Sequence, residues 1–215
     1  MRFDLSQVPK RTTYNLINGL VAPRPIALVT SLGPDGVLNA APFSSYNYLC
    51  HDPAILGFGV AARPDGSQTL KDTARNIEYS GEYVVNVVTE DIGRKMNICG
   101  VDFPSEVSEM DMAGFTPEPS IVVKTPRIKE AHAALECRLY QMIKPGPGEA
   151  RIILGHVVAI YVEDRFIDPK GPYVLAKELH SIGRMNALNY YVHTQDAFFE
   201  IQRLNYEQWQ KGERG

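Results

Sequence analysis

The sequence predicts a mainly β protein whose strands close, or partly close, into a barrel with helices flanking or plugging it. Three observations carry this. About six or seven runs of β-branched and apolar residues recur along the chain. Turn chemistry separates them, and helical stretches are few. Periodicity supports the strands but does not supply closure.

The elements follow in order. Residues 1–22 are polar and lead into the core as a short strand or helix. Pro25-Ile26-Ala27-Leu28-Val29-Thr30-Ser31 is an extended apolar run, closed by the turn residues Gly33-Pro34-Asp35-Gly36. Val37 to Ala41 resumes extended character, and Pro42 marks a bulge or a sheet edge because it has no N–H to donate. Phe43 to Leu49 and Ala54 to Val60 are two further strands, with His51-Asp52-Pro53 turning between them. The opening third therefore reads as a β-meander. A helix is expected over about 70–80, capped by Thr69 or Asp72 and stopped by Gly81. Tyr83 to Val88 is a strand, residues 90–99 are helical up to Gly100, and a short helix spans Ser105–Met112 before Gly114.

The stretch 131–143 alternates as a half-buried strand. Ala133, Leu135, Cys137, Leu139 and Ile143 fall on one side; His132, Glu136, Arg138 and Tyr140 fall on the other. After the loop Lys144-Pro145-Gly146-Pro147-Gly148, Arg151 to Val162 is apolar on both faces, as a central strand is, and pairs with 131–143 as a hairpin. From Leu175 helical and loop character returns, and the polar tail Gln208–Gly215 is expected to fray.

At 215 residues the chain is expected to form one domain, with a core over about 20–200. A net charge of −3 offers no basic field for a phosphate backbone, which argues against a nucleic-acid partner. No apolar run reaches the ~18 residues of a membrane helix, and the N-terminus lacks the apolar core of a signal peptide. A cytoplasmic location is the resulting expectation. The cysteines, Cys50, Cys99 and Cys137, are odd in number and widely spaced, so they read as small hydrophobes, not as a disulfide or zinc framework. His132, His156 and His193 have no ligand spacing, and no metal is assigned.

No nucleotide-binding glycine motif, zinc-protease helix or serine-hydrolase elbow is present. Three polar clusters stand out instead. In the first, Thr30-Ser31 and Asn39-Ala40-Ala41-Pro42-Phe43-Ser44-Ser45-Tyr46, small residues let a flat ligand approach the backbone. Hydroxyls and Asn39 offer donors and acceptors to its polar edge, and Phe43 and Tyr46 can cover its rings. The same residues read equally as a serine-rich strand with ordinary turn polarity. In the second, Arg63 and Lys71-Asp72-Thr73 set cations and hydroxyls beside a helix N-terminus, which favours a phosphate or is simply a solvated capping segment. In the third, Arg184 is a fixed cation close in sequence to His180 and Tyr191. His180 can relay protons or serve structure alone.

These clusters, in this order, resemble the FMN-binding flavin reductase-like family. The resembling segments are Arg24 to Ser31, Asp35-Gly36, Asn39 to Ser44, Lys71 to Ile77, Gly81 to Asn86 and Ile182 to Arg184 with Tyr191 to Thr194. The Asn-Ala-Ala-Pro-Phe-Ser block followed by Lys-Asp-Thr is specific as a combination. The resemblance implies a split β-barrel, a homodimer with FMN near its interface, and hydride transfer from NADH or NADPH to the flavin. Carried over by position, Thr30, Ser31, Asn39, Ala41, Pro42, Phe43 and Ser44 line the ring and ribityl chain. Arg63, Lys71, Asp72 and Thr73 hold the phosphate end, and Arg184 and Tyr191 close the site. No catalytic side chain is implied, since the flavin carries the chemistry; His180 is the one candidate.

After Gly183-Arg184 the family often has a small, glycine-containing stretch. Here Met185-Asn186-Ala187-Leu188-Asn189 stands instead, so the shape of the nicotinamide or acceptor pocket does not carry over. Three readings stay open: an NAD(P)H-dependent flavin reductase feeding an acceptor or a monooxygenase, a tight FMN electron carrier, and a barrel-shaped binding module without enzymatic activity.

Overall fold

The computed structural model describes residues 1–63, 69–195, 198–201, 203 and 205–210. Helix α1 (Lys10–Leu20) precedes the first strands, β1 (Ala27–Leu32) and β2 (Leu38–Phe43), which form an antiparallel hairpin. Gly36 closes that hairpin at φ +80°, a backbone angle glycine takes without steric cost. β3 (Tyr46–His51) and β4 (Ala54–Val60) form a second hairpin. Helix α2 (Asp72–Ser80) ends at Gly81, whose φ of +71° and N–H bond to Ile77 O make the expected left-handed stop. β5 (Glu82–Val87), α3 (Gly93–Ile98), α4 (Glu109–Met112) and the short pair β6 (Pro117–Glu118) and β7 (Arg127–Ile128) follow. The long hairpin β8 (Ala133–Ile143) and β9 (Arg151–Val162) completes the main sheet. A second small pair, β10 (Ile182–Arg184) and β11 (Tyr191–His193), precedes α5 (Tyr206–Gln210).

The main sheet has seven strands in the order β2-β1-β5-β8-β9-β4-β3. The opening third is therefore not a meander. Its two hairpins stand at opposite ends of the sheet, because β5 takes the far side of β1 and β9 the far side of β4. Only Ser44 and Ser45 separate β2 from β3 in the chain. Pro42 does sit on an edge strand, where a missing N–H breaks no ladder.

β1 is buried on both faces. Ala27 and Val29 join Leu56, Phe58, Ile77, Tyr83, Val85 and Ile153 in one cluster. Leu28 joins Ala40, Val88, Met96, Met110, Phe115 and Ile128 in the other. Helix α2 thus packs on one side of the strand through Ala74 and Ile77, while α3 and α4 pack on the other through Met96 and Met110. Each fully buried large side chain contributes roughly 1.5–3 kcal/mol.

Two local expectations are corrected. Neither Thr69 nor Asp72 caps α2: the N-cap is Lys71, which makes no side-chain cap bond, and Asp72 pairs instead with Arg63 and Arg75. Glu136, expected on the polar side of its strand, is completely buried. It accepts the backbone N–H groups of Ile121, Val122 and Val123 at 2.6, 2.7 and 3.1 Å. Bulges between Glu136 and Cys137 and between Leu139 and Gln141 shift the alternation, so Ile143 reaches solvent. β9 is central, as its apolar run predicts, yet Ile152 and Ile160 are exposed. The tail expected to fray from Gln208 includes the end of α5; residues 211–215 lie outside the described residues. The three cysteines are unpaired. Among the described residues no group of acidic, histidine or cysteine side chains has the arrangement of a metal site, and no helix is long and apolar enough to cross a membrane.

Candidate functional site

A cleft of about 100 Å³, partly open to solvent, lies between β2, the start of α2 and the segment joining α3 to α4. Asn39, Ala41, Pro42 and Phe43 line it from β2, and Arg63, Lys71, Asp72 and Thr73 from the approach to α2. The structure thus brings together eight residues that the sequence places in two separate clusters. Cys99, Gly100, Asp102, Phe103 and Glu109 complete the wall.

The cationic end is partly neutralised. Arg63 pairs with Asp72 at 3.0 Å and donates to Leu70 O at 3.1 Å. Lys71 pairs with Asp102 at 3.1 Å, with both side chains accessible. Such a pair contributes about 0.2–1 kcal/mol, so Lys71 is readily given up to a stronger anion. Because α2 has no side-chain cap, the N–H groups of its first turn remain available to an anionic ligand.

Beneath the cleft runs a buried polar network. Asn39 Nδ2 donates to Glu109 Oε2 at 2.8 Å, and the Ala40 N–H donates to the same oxygen at 3.2 Å. Ser31 Oγ donates to Asn39 Oδ1 at 3.3 Å, and Asn76 Nδ2 donates to Ser31 Oγ. Burial pushes the Glu109 carboxyl above its ordinary range, and its own hydrogen bonds only partly offset this. Burial likewise pushes the Cys99 thiol up to about 12, which keeps it a protonated wall residue, not a nucleophile.

Thr30 and Ser31 do not reach the cleft, contrary to the sequence expectation. Both are fully buried, and Thr30 Oγ1 donates to Pro126 O at 2.7 Å. Ser44, Arg184 and Tyr191 line an adjoining pocket with Arg24, Tyr14, Asn97 and Asn186; Pro42 and Gly100 line both spaces. Arg184 donates to the Tyr191 hydroxyl and stacks 4.8 Å from its ring centre. His180 stands apart in a different groove with Glu90, Asp91, His132 and Phe166, exposed and at a φ of +52°. Glu109, Asp102, Gly100 and Arg24 are among the site residues that sequence reasoning missed. Arg24 had a signal in its resembling segment; Glu109 had none.

The flavin reductase-like domain family matches residues 20–182 of this chain. The chain belongs to the flavin reductase-like family. The 2-nitrobenzoate 2-nitroreductase NbaA of Pseudomonas fluorescens is 34% identical, covers 96% of this chain and 98% of its own, and superposes with a TM-score of 0.85. Nitrilotriacetate monooxygenase component B of Bacillus cereus is 29% identical with the same TM-score, covering 95% and 98%. A Shewanella frigidimarina protein with a split barrel domain, 22% identical and covering 96% and 99%, shares the fold at a TM-score of 0.78. The chain is therefore a split-barrel, flavin-related oxidoreductase.

The residues present fit a flavin mononucleotide. Lys71, Arg63 and the uncapped first turn of α2 suit its phosphate. Ala41 and Gly100 leave the wall low; a Cβ on Gly100 would come 3.3 Å from Asn97 O and 3.7 Å from Pro42. Phe43, 4.9 Å from Phe58 between ring centres, adds an aromatic surface.

Proposed function

We propose that this chain binds FMN in the β2–α2 cleft and acts as an NAD(P)H-dependent flavin reductase, passing electrons to an acceptor or to a monooxygenase partner. The observation that carries this is the meeting of Lys71, Arg63 and the α2 N-terminus with the small-residue edge of β2 in one cleft. Likeness over the full chain to a nitroreductase and to a monooxygenase component supports an electron-delivering role.

Bound FMN would supply the hydride acceptor and the store of electrons. The chain's own part is to anchor and orient. Lys71 and Arg63 fix one end of the ligand by charge. Ala41, Pro42 and Phe43 supply a low apolar floor that admits a flat ring and excludes water. The Thr73–Asn39 hydrogen bond keeps that floor in register with α2, and the bonds to Glu109 tie it to α4. A homodimer is part of the same proposal. Tyr140, Ile152 and Ile160 are exposed on β8 and β9, which is apolar surface suited to a second copy.

The test is an absorbance spectrum of the purified protein before and after anaerobic NADH or NADPH. Flavin bands that bleach within seconds support the reductase. A yellow protein that neither donor reduces points to the electron carrier, and a colourless protein indifferent to added FMN removes flavin binding altogether.

A further inference from the structure

Arg24 and Arg184 are opposed across an antiparallel bridge. Arg24 N–H donates to Arg184 O at 2.9 Å, and Arg184 N–H donates to Arg24 O at 2.8 Å. Directly opposed residues send their side chains to one face, where like charges destabilise the pair. Both side chains line the pocket that adjoins the cleft. No acidic residue lines it, and among the described residues neither guanidinium has an ion pair. The contrast with the cleft is direct, since Arg63 and Lys71 each have an aspartate there.

Arg24 is only 8% exposed. Its guanidinium is fixed by the carbonyls of Asn18, Val21 and Met185 at 2.6, 2.8 and 3.2 Å, with Asn186 O and Ser44 Oγ at 3.4 Å. These carbonyl dipoles hold the group but do not cancel its charge. Burial, and then the facing Arg184 charge, hold Arg24 below the usual guanidinium range. A desolvated charge without a counter-ion is costly, and the fold sets the half-buried Arg184 beside buried Arg24. Arg184 is oriented by Tyr191 alone among the described residues, which leaves most of its planar fork of donors free.

We propose that this pocket is an oxyanion subsite for the molecule that exchanges electrons with the flavin, recognising its carboxylate or phosphate group. It rests on the FMN reading for its purpose: Pro42 and Gly100 line both spaces, so a ligand held here lies beside the flavin. The flavin's own phosphate has separate cations in Arg63 and Lys71. Tyr14 and Tyr191 give the subsite aromatic walls suited to an anionic aromatic or nucleotide ligand.

The test is calorimetric titration of the protein as purified with two probes, benzoate and inorganic pyrophosphate. At least one is expected to bind. Arg184→Ala should weaken that binding about tenfold or more, while the FMN dissociation constant changes less than about twofold. Arg184→Lys should keep the fold and charge yet still bind more weakly, because an ammonium cannot form the two-point contact. The two sources of the oxyanion separate by kinetics. Pyrophosphate binding with a raised KM for NADH or NADPH and an unchanged kcat assigns the subsite to the hydride donor. Benzoate binding with an unchanged donor KM assigns it to an anionic acceptor. Failure of both probes to bind the wild-type protein overturns the proposal. So does loss of FMN affinity in Arg184→Ala as large as in Lys71→Ala, which would give Arg184 to the flavin phosphate. If the protein never binds FMN, the flavin reading fails separately, and the titrations still report on the pocket.

Discussion

Asn39 Oδ1 accepts a hydrogen bond from Thr73 Oγ1 at 2.8 Å, tying the edge strand β2 to the first turn of α2. Both residues are buried, and Asn39 Oδ1 also accepts from Ser31 Oγ at 3.3 Å. The bond fixes the two walls of the cleft relative to one another. Thr73→Val removes the donor while keeping the volume. Stability should fall by about 0.5–1.5 kcal/mol, the net worth of one hydrogen bond, since Ser31 still donates to the Asn39 acceptor. Urea denaturation measures it, and Thr73→Ser should restore most of the loss. A valine variant as stable as wild type would show that the tie carries no weight.

Lys71 has an accessible ion pair with Asp102, so its ammonium is held but not committed. Lys71→Ala should weaken FMN binding about tenfold, or ~1.4 kcal/mol. Asp102→Asn should leave binding unchanged or tighter, because it removes the competitor. Quenching of flavin fluorescence gives both constants. Equal affinity in Lys71→Ala and wild type would remove Lys71 from the phosphate site.

Glu109 couples the cleft to pH. Burial raises its folded-state value above 4.5, so the fold favours the protonated form. Its contribution to stability is full below the unfolded value of 4.5 and is lost as pH rises through the raised folded value. Glu109→Gln cannot ionise. The stability of the variant relative to wild type should therefore climb as pH increases across that window. Urea melts at a series of pH values test this; a constant difference at every pH would contradict it.

Gly155 on β9 is required by the tyrosine beneath it. A Cβ there would stand 1.9 Å from Tyr83 Oη and 2.7 Å from Cζ. Tyr83 is fully buried and meets Phe58 edge-on, so it has nowhere to retreat. Gly155→Ala should cost about 1–3 kcal/mol or more through overpacking. In a Tyr83→Phe background the same substitution should cost less, and a thermodynamic cycle over the four proteins measures the coupling.

Much of this architecture is written locally. The β-branched runs over 27–31, 54–60 and 83–87 become strands, and Gly81 stops its helix, because each needs only its neighbours to be understood. What pairs with what is a non-local matter. Nothing near residues 43–46 says that β2 and β3 diverge, since β5 and β9, contributed from far along the chain, decide it. The same holds for single residues. Thr30, Ser31 and Glu136 are polar by identity but buried by partners that are distant in sequence or hidden in a loop. Lys71, Thr73 and the Asn39 to Phe43 segment are readable as candidates from residue chemistry, while their sharing one site comes only from the family resemblance. Asn39 in particular faces the Glu109–Thr73 network, so its amide serves the scaffold before any ring edge.

The short Ser44-Ser45 link joins strands that stand at opposite ends of the sheet. Among the described residues, backbone pairing around the sheet is interrupted at that seam, which is held by the covalent link, the Ser45–Gly59 bonds and the Phe43–Phe58 ring contact. A ligand resting on Ala41 to Phe43 would brace one border of the seam and, through two serines, the other. Its arrival should then be felt as a slowing of amide hydrogen exchange along both β2 and β3 together, as if two distant borders of the sheet were fastened by a single stitch.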